Sequence, residues 1–138
     1  MKIRSYVLHL IPISVPQIAS TPTGPAVTHS SDFTLVSASK PANAGEVLAL
    51  FAKGLGPTRP GVDPGQPFPS SPLASVNSPV TVLANGKSAE ALGAAGSRGT
   101  LDGYQVNFRI PSDIAKGTAS IQVSAAWVAS APVSISVQ

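Results

Sequence analysis

Hydrophobic and polar residues alternate along this chain in short runs, and that alternation predicts β-strands. The clearest run is YQVNFRI, residues 104–110, in which every second residue is apolar or aromatic and the residues between are polar. Because successive side chains of a strand point to opposite faces, the apolar set should line the core. Pro111 should end this strand, since proline has no N–H to donate to a ladder.

Two further patterns predict paired strands. PVTVLANGKSAEAL, residues 79–92, joins two strand-like runs at Asn85 and Gly86, the dipeptide favoured in a type I′ hairpin turn. EVLALFAKG, residues 46–54, is a nearly continuous apolar run of strand length. Such a run is typical of a central strand that is buried on both faces.

The remaining strands are predicted from weaker alternation. In AVTHSSDFTLVSA, residues 26–38, the later half should form a strand with Phe33, Leu35 and Ser37 on one face. SDIAKG should be a connecting turn or one helical turn capped by Ser112, and VSISVQ should be the last strand. About seven to eight short strands without βα alternation predict an all-β, immunoglobulin-like β-sandwich, with a small barrel as the alternative.

The N-terminal stretch is predicted to be a separate strand. Residues 3–11 are rich in Ile, Val, Leu and Tyr, and PQIASTPTGP follows as a semi-stiff linker. The domain division is therefore residues 1–25 for the strand and linker, and residues 26–138 for the sandwich. A signal peptide is the alternative for this stretch, which is too short and too interrupted by proline to span a bilayer.

A long loop rich in proline and glycine interrupts the strands. GLGPTRPGVDPGQPFPSSPL, residues 54–73, contains six prolines and four glycines. Proline restricts the unfolded chain, so such a loop can be ordered at a lower entropic cost than a glycine-serine loop. We expect an extended strap that is anchored by Phe68 and Leu73.

Composition and charge exclude several classes of function. Hydrophobic residues make up 43% of the chain and charged residues 11%, which is not a disordered composition. The net charge of +3 is scattered and only 5% of residues are aromatic, so a nucleic-acid interface is not indicated. The chain has no cysteine, which excludes disulfides and cysteine-based zinc sites.

Candidate catalytic and metal-binding residues form no recognisable signature. His29 and Asp32 lie close together but no nucleophile-elbow motif accompanies them, so we interpret them as a polar cluster at a turn or strand edge. The sequence therefore indicates no catalytic residue, no metal site and no cofactor. A calcium site built from separate loops remains an alternative, because the carboxylates are isolated: Asp32, Glu46, Asp63, Glu90, Asp102 and Asp113.

Three stretches together resemble the Solibacter-type C-terminal domain family, which is similar to the immunoglobulin-like IPT/TIG domains. These stretches are AGEVLALFAKGLGPTRP, PVTVLANGKSAEAL and LDGYQVNFRIPSDIAKGTASIQV, and the resemblance runs from about Ala26 to the end. SAAWVAS departs from the family pattern, which has a glycine-containing turn there. The residues that match the family's structural motif are Gly54, Gly56, Pro57, Asn85, Gly86, Gly103, Tyr104 and Pro111.

The resemblance implies a non-catalytic module of a secreted or cell-surface protein. We expect a structural or assembly role, with self-association or a cell-surface protein as partner, and a surface filament formed by donation of the N-terminal strand. The residues expected to be donated are Ile3, Tyr6, Val7, Leu8, Leu10, Ile11 and Ile13.

The alternative function is a module that binds carbohydrate or another ligand. A lone tryptophan in such a sandwich is usually packed, but an exposed aromatic residue beside polar loop residues would favour sugar stacking. The candidate contact surface is Gln105, Asn107, Arg109 and Trp127.

Overall fold

A computed structural model describes residues 16–56, 58–59, 67–68, 75–76, 79–97, 100, 103–126 and 128–138. Every regular element in these residues is a β-strand, and none of them is helical. In chain order the strands are β1 (Gln17–Ile18), β2 (Ser20–Thr21), β3 (Gly24–Pro25), β4 (Val27–His29), β5 (Val47–Lys53), β6 (Thr58–Arg59), β7 (Ser75–Val76), β8 (Val80–Ala84), β9 (Lys87–Gly96), β10 (Gly103–Arg109), β11 (Gly117–Ala125), β12 (Val128–Ala129) and β13 (Val133–Val137).

Eleven of these strands form one curled antiparallel sheet, and β2 pairs with β3 in a separate hairpin. In one half of the sheet, β5 lies between β10 on one side and β1 and β4 on the other. In the other half, β11 lies between β8 and β13. The start of β9 pairs with β8 and its remainder pairs with β10, so β9 joins the two halves where the sheet curls.

Both halves of the curled sheet contribute side chains to the core. The alternation along residues 104–110 correctly predicts which side chains of that run are buried. The four apolar positions of that run are all buried, and strand β10 ends at Arg109, two residues before Pro111. The fully buried side chains include Leu48, Leu50, Val106 and Phe108 from one half and Val82, Ile121 and Val123 from the other. Burial of such side chains is the main stabilising contribution to a domain of this kind.

Two of the predicted elements are confirmed in detail. Ala84 pairs with Lys87 across the two turn residues, and Asn85 and Gly86 have φ angles of 51° and 80°. Positive φ at both central positions is the requirement of a type I′ turn, and this explains the dipeptide. Strand β5 is the expected central strand, because three consecutive residues in it, from Leu48, are fully buried and it is paired on both sides.

The prediction of a strand in the later half of residues 26–38 is wrong. The strand is β4, in the earlier half, and the later half contributes one bridge, between Leu35 and Thr28. The chain reverses over residues 30–33, because the Phe33 N–H donates to the carbonyl of His29 at 2.7 Å. Phe33 therefore lies in a turn, with a φ angle of 57° and 56% of its surface exposed, and not on a buried face.

The linker expected over residues 16–25 is folded onto the sheet. Gln17 pairs with Lys53 of β5, and Ile18 is buried in the core. Residues 20–25 are an excursion between β1 and β4, formed by the β2–β3 hairpin. The division into a separate N-terminal strand and a domain stays a prediction, since residues 1–15 lie outside the described residues.

The loop rich in proline and glycine has one confirmed anchor. Phe68 is buried, whereas Leu73 and Pro57 lie outside the described residues. At the start of the loop, Gly54 and Gly56 have φ angles of 75° and 90°, a conformation that glycine adopts without steric cost. The Gly-Leu-Gly motif thus turns the chain away from β5 while Leu55 remains buried.

A segment without regular structure connects the two halves of the sheet. Residues 35–42, here called the crossing segment, start beside β4 and end beside β13. At its far end Ala42 pairs in parallel with Val137, donates its N–H to the Ser136 carbonyl at 2.9 Å and accepts from the Gln138 N–H at 2.8 Å. The crossing segment therefore closes one side of the curled sheet.

Candidate functional site

A buried histidine and a glutamate hold the crossing segment in place. His29 lies on β4 and Glu46 directly precedes β5, and their side chains are 6% and 22% exposed. The Nδ1 atom of His29 is hydrogen-bonded to the Oε2 atom of Glu46, and its Nε2 atom lies 3.0 Å from the Lys40 carbonyl oxygen. The Oε1 atom of Glu46 accepts the Asn43 N–H at 2.9 Å. We call these four residues the polar clasp.

The electrostatics of the polar clasp favour a protonated imidazole. Burial alone lowers the pKa of His29, but the hydrogen bonds to Glu46 and to the Lys40 carbonyl, together with the negative charge of Glu46, outweigh burial and raise it. A carbonyl oxygen can only accept, so Nε2 must carry a proton, and Nδ1 faces a carboxylate. The clasp is thus a buried charge pair in which both imidazole nitrogens are engaged.

An open cleft of about 410 Å³ lies beside the polar clasp. Its walls come from the clasp, from Ser31 in the turn after β4, and from Gln138 after β13. The Asn43 Oδ1 atom accepts from the Gln138 Nε2 atom at 2.9 Å, which links the clasp to the C-terminal strand. The cleft is therefore polar and is framed by the sheet.

The arrangement around His29 does not activate a serine. Asp32, the predicted neighbour of His29, instead accepts from the Lys40 Nζ atom at 2.8 Å and from the Thr34 N–H at 3.0 Å. The Lys40 hydrogen bond is the main reason that the pKa of Asp32 is held far below its ordinary value. Because both imidazole nitrogens have partners, neither can accept a proton from a hydroxyl group.

The predicted contact surface on β10 is a set of side chains bonded to their neighbours. The Gln105 Nε2 atom donates to the Asn107 Oδ1 atom at 3.0 Å. Arg109 donates to the Glu90 carboxylate at 3.2 Å and to the Gly45 carbonyl at 3.1 Å. Trp127, the fourth residue of the predicted contact surface, lies outside the described residues. The seven residues of the predicted assembly strand also lie outside them.

Strand β9 has a stretch that is paired on one side only. Asn107 pairs with Gly93 and Phe108 pairs with Ala91, so Leu92 is the extra residue of a β-bulge and is 48% exposed. On the other side of β9, the pairing with β8 stops at Ala89 and the pairing with β7 is at Ala95. Among the described residues, positions 90–94 thus pair only with β10, and we call them the β9 gap.

A groove of about 330 Å³, whose exposed surface is more polar than apolar, runs along the β9 gap. Val76 of β7 and Val80 of β8 form one wall, and Leu92 and Ala94 belong to the gap itself. Both valines also pack against the core from its margin. Apolar side chains therefore lie beside backbone that, within the described residues, pairs only with β10.

Sequence reasoning missed both the polar clasp and the β9 gap. The partners in the clasp are 17 positions apart, and only the register of β4 against β5 brings them together. The available signal was a histidine in an apolar strand and a glutamate directly before an apolar run. The groove was not predictable from the sequence. It lies where strand β9 stops pairing with β8 in one half of the sheet and continues beside β10 in the other half.

No protein-family model, curated protein or solved structure matches this chain. Among the described residues, no group of three or more His, Asp and Glu side chains is placed to hold a metal ion. The same residues include no helix with the length and hydropathy that a bilayer crossing needs.

Proposed function

We propose that this chain is a non-catalytic, extracellular module that assembles with copies of itself by strand donation. Residues 3–13 of one copy are the donor, and the β9 gap of the next copy is the acceptor. The observation that carries this proposal is that residues 90–94 pair, among the described residues, only with β10, beside a groove that contains Val76, Val80 and Leu92. The extracellular or cell-surface location is supported by the family resemblance.

The order of the strands supports an immunoglobulin-like sandwich as the scaffold. One half has the order β5, β10, β9 and the other has β8, β11, β13, which matches strands B, E, D and C, F, G of that fold. The parallel contact between Ala42 and Val137 joins the first part of the chain to the last strand. Such sandwiches are common scaffolds of cell-surface proteins.

The acceptor offers what an added strand requires. Backbone N–H and C=O groups on the open side of the gap can pair with an incoming strand, which provides affinity, and the groove provides specificity for apolar side chains. The five gap residues extend over about 16 Å, and eleven donor residues reach about 36 Å when extended. The donor is therefore long enough to fill the gap.

Strand donation of this kind predicts a polymer. Donor and acceptor are different surfaces of the same molecule, so each copy that donates still presents an open acceptor. Such a heterologous contact forms a filament unless the rotation between copies closes a ring. A surface filament or a closed ring is thus the expected assembly.

The test is light scattering after size-exclusion chromatography of the full chain over a range of concentrations. We expect oligomers that grow with concentration and are lost in the double variant Leu8→Asp/Leu10→Asp. The matched control Ser5→Asp/His9→Asp adds the same charges at polar positions of the same segment and should still assemble. A monomer at every concentration, or equal loss in both variants, would contradict the proposal.

The acceptor has its own test. Leu92→Asp places a charge in the groove and should abolish assembly, because an apolar donor side chain would have to bury against it. Thr118→Asp on β11 is the control, since it changes an exposed residue outside the groove. Assembly that survives in Leu92→Asp would place the acceptor elsewhere.

A further inference from the structure

The turn between β4 and the crossing segment carries an exposed aromatic ring in an unfavourable backbone conformation. Phe33 has a φ angle of 57°, in the left-handed region where bulky residues are rare, and 56% of its surface is exposed. Burial of the ring therefore does not offset the strain. Strain that packing does not explain is most often found at functional positions.

The same turn also supplies one wall of the cleft beside the polar clasp. Ser31 lines the cleft, and the hydrogen bond from the Phe33 N–H to the buried His29 fixes the turn relative to the clasp. Phe33 is thus two residues along the chain from the wall residue Ser31, although its own side chain is not among those that line the cleft. The hydrogen bond holds the turn that carries the ring, and a turn that is already held in place costs less entropy to order on binding.

The charged groups around the cleft neutralise each other. His29 is paired with Glu46, and Lys40 is paired with Asp32. No uncompensated charge in this group would favour an anionic or a cationic ligand. A neutral ligand is therefore the better electrostatic match.

Several polar groups at the cleft remain available for a ligand. The hydrogen bond between Asn43 and Gln138 uses one donor and one acceptor, which leaves the Asn43 amide N–H groups and the Gln138 side-chain carbonyl. Among the described residues, neither these groups nor the Ser31 hydroxyl has a hydrogen-bond partner. The cleft thus offers both donors and acceptors, as sugar hydroxyl groups require.

We propose that this cleft binds a neutral saccharide. Ser31, Asn43 and Gln138 exchange hydrogen bonds with its hydroxyl groups, and the Phe33 ring stacks against the C–H face of a sugar ring. This site is separate from the β9 gap and does not depend on assembly. It also differs from the contact surface that the sequence indicated on β10.

The test is isothermal titration of the full chain with three neutral oligosaccharides: cellohexaose, maltohexaose and chitohexaose. We expect saturable binding of at least one of them, weakened about tenfold or more in Phe33→Ala and retained in Phe33→Tyr. Phe33→Gly removes the ring and relieves the strain, so it should lose binding while its melting temperature rises. A loss of binding in Phe33→Gly could not be attributed to unfolding, because this variant is expected to melt at a higher temperature.

Controls separate this site from the assembly interface. Leu92→Ala and the double variant Leu8→Asp/Leu10→Asp should bind the saccharide as the unchanged chain does. The proposal is overturned if none of the three saccharides binds up to about 10 mM, or if Phe33→Ala binds equally well. Equal binding of an acidic oligogalacturonate would also overturn it, because the argument from neutral charge would fail.

Discussion

Two irregular segments of this molecule are fixed to the same sheet in opposite ways. The polar clasp holds the crossing segment through a buried charge pair between His29 and Glu46. The loop that follows β5 is held by Phe68, Gly96 and Tyr104, which we call the aromatic clasp. The difference determines which of the two attachments depends on solution conditions.

The aromatic clasp is held by close packing. The Phe68 and Tyr104 rings are 5.2 Å apart at an angle of 56°, a tilted arrangement that aromatic pairs favour. The Tyr104 hydroxyl donates to the Gly56 carbonyl at 2.8 Å. The Phe68 ring lies directly over Gly96, where an added Cβ atom would come within 2.3 Å of it. The contact consists of aromatic packing and one hydrogen bond to a backbone carbonyl.

The comparison indicates a division of roles. The aromatic clasp should persist across the whole pH range in which the domain folds. The polar clasp should weaken when the protonated imidazole of His29 loses a proton. The positive charge that is lost is the one that attracts the carboxylate of Glu46. We therefore expect the attachment of the loop after β5 to be independent of pH and the attachment of the crossing segment to depend on it.

The largest effect is expected at the aromatic clasp. Gly96→Ala should cost about 3–5 kcal/mol of unfolding free energy, the range for removing a buried phenylalanine, because the new Cβ atom displaces the ring. Chemical denaturation of Phe68→Ala and of the double variant Phe68→Ala/Gly96→Ala gives the other unfolding free energies of this double-mutant cycle. In the Phe68→Ala background, Gly96→Ala should be nearly neutral. Additive losses would mean that Gly96 acts through something other than the ring.

Breaking the polar clasp should have the next largest effect. Glu46→Gln preserves the shape of the side chain and removes its charge, so the buried imidazole loses its counter-charge. We expect a loss of about 2–3 kcal/mol, less than for a completely buried pair, because Glu46 is partly exposed. Glu90→Gln, which alters an exposed pair with Arg109, is the matched control and should change stability by less than about 1 kcal/mol. Equal losses would show that the clasp is no stronger than a surface ion pair.

A smaller effect should appear in the pH dependence of stability. Because the pKa of His29 is raised on folding, its contribution is fully present below the ordinary value of about 6.5 and is lost as pH rises through the folded value. The melting temperature should therefore fall as the pH rises from below to above about 6.5. In Glu46→Gln the remaining effect of burial should reduce or reverse this slope. The same slope in both proteins would exclude His29 as its source.

The smallest expected effect lies outside both clasps. Ala126 follows β11 with a φ angle of 50°, in the left-handed region that favours glycine. Ala126→Gly should stabilise the protein by about 1 kcal/mol, because glycine adopts this conformation without strain. Ala131→Gly, at an exposed position with ordinary backbone geometry, should give no gain. Thermal unfolding of the two variants makes the comparison.

The sequence predicted those elements whose pattern is local. The turn at Asn85 and Gly86 and the alternation over residues 104–110 each depend on adjacent residues, and both are confirmed. The prediction placed Phe33 on one strand face with Leu35, because the alternation of apolar and polar residues continues through the turn. The positive φ angle of Phe33 could not be predicted from residue types.

The candidate sites were less predictable, because each depends on contacts between distant parts of the chain. Asp32 was the neighbour of His29 in sequence, whereas the strand register supplies Glu46 instead. The β9 gap depends on where two paired strands separate, which no alternation encodes. The aromatic clasp was partly foreseen through Phe68, but its dependence on Gly96 required the fold.

The central claim, that the β9 gap accepts a strand from another copy, can be tested directly by hydrogen exchange. Amide exchange in the full chain would be followed residue by residue at low and high protein concentration. The account predicts that amides within residues 90–94 become more protected as concentration rises, and that Leu8→Asp/Leu10→Asp abolishes this protection. Exchange in the gap that is independent of concentration, while other amides gain protection, would contradict it.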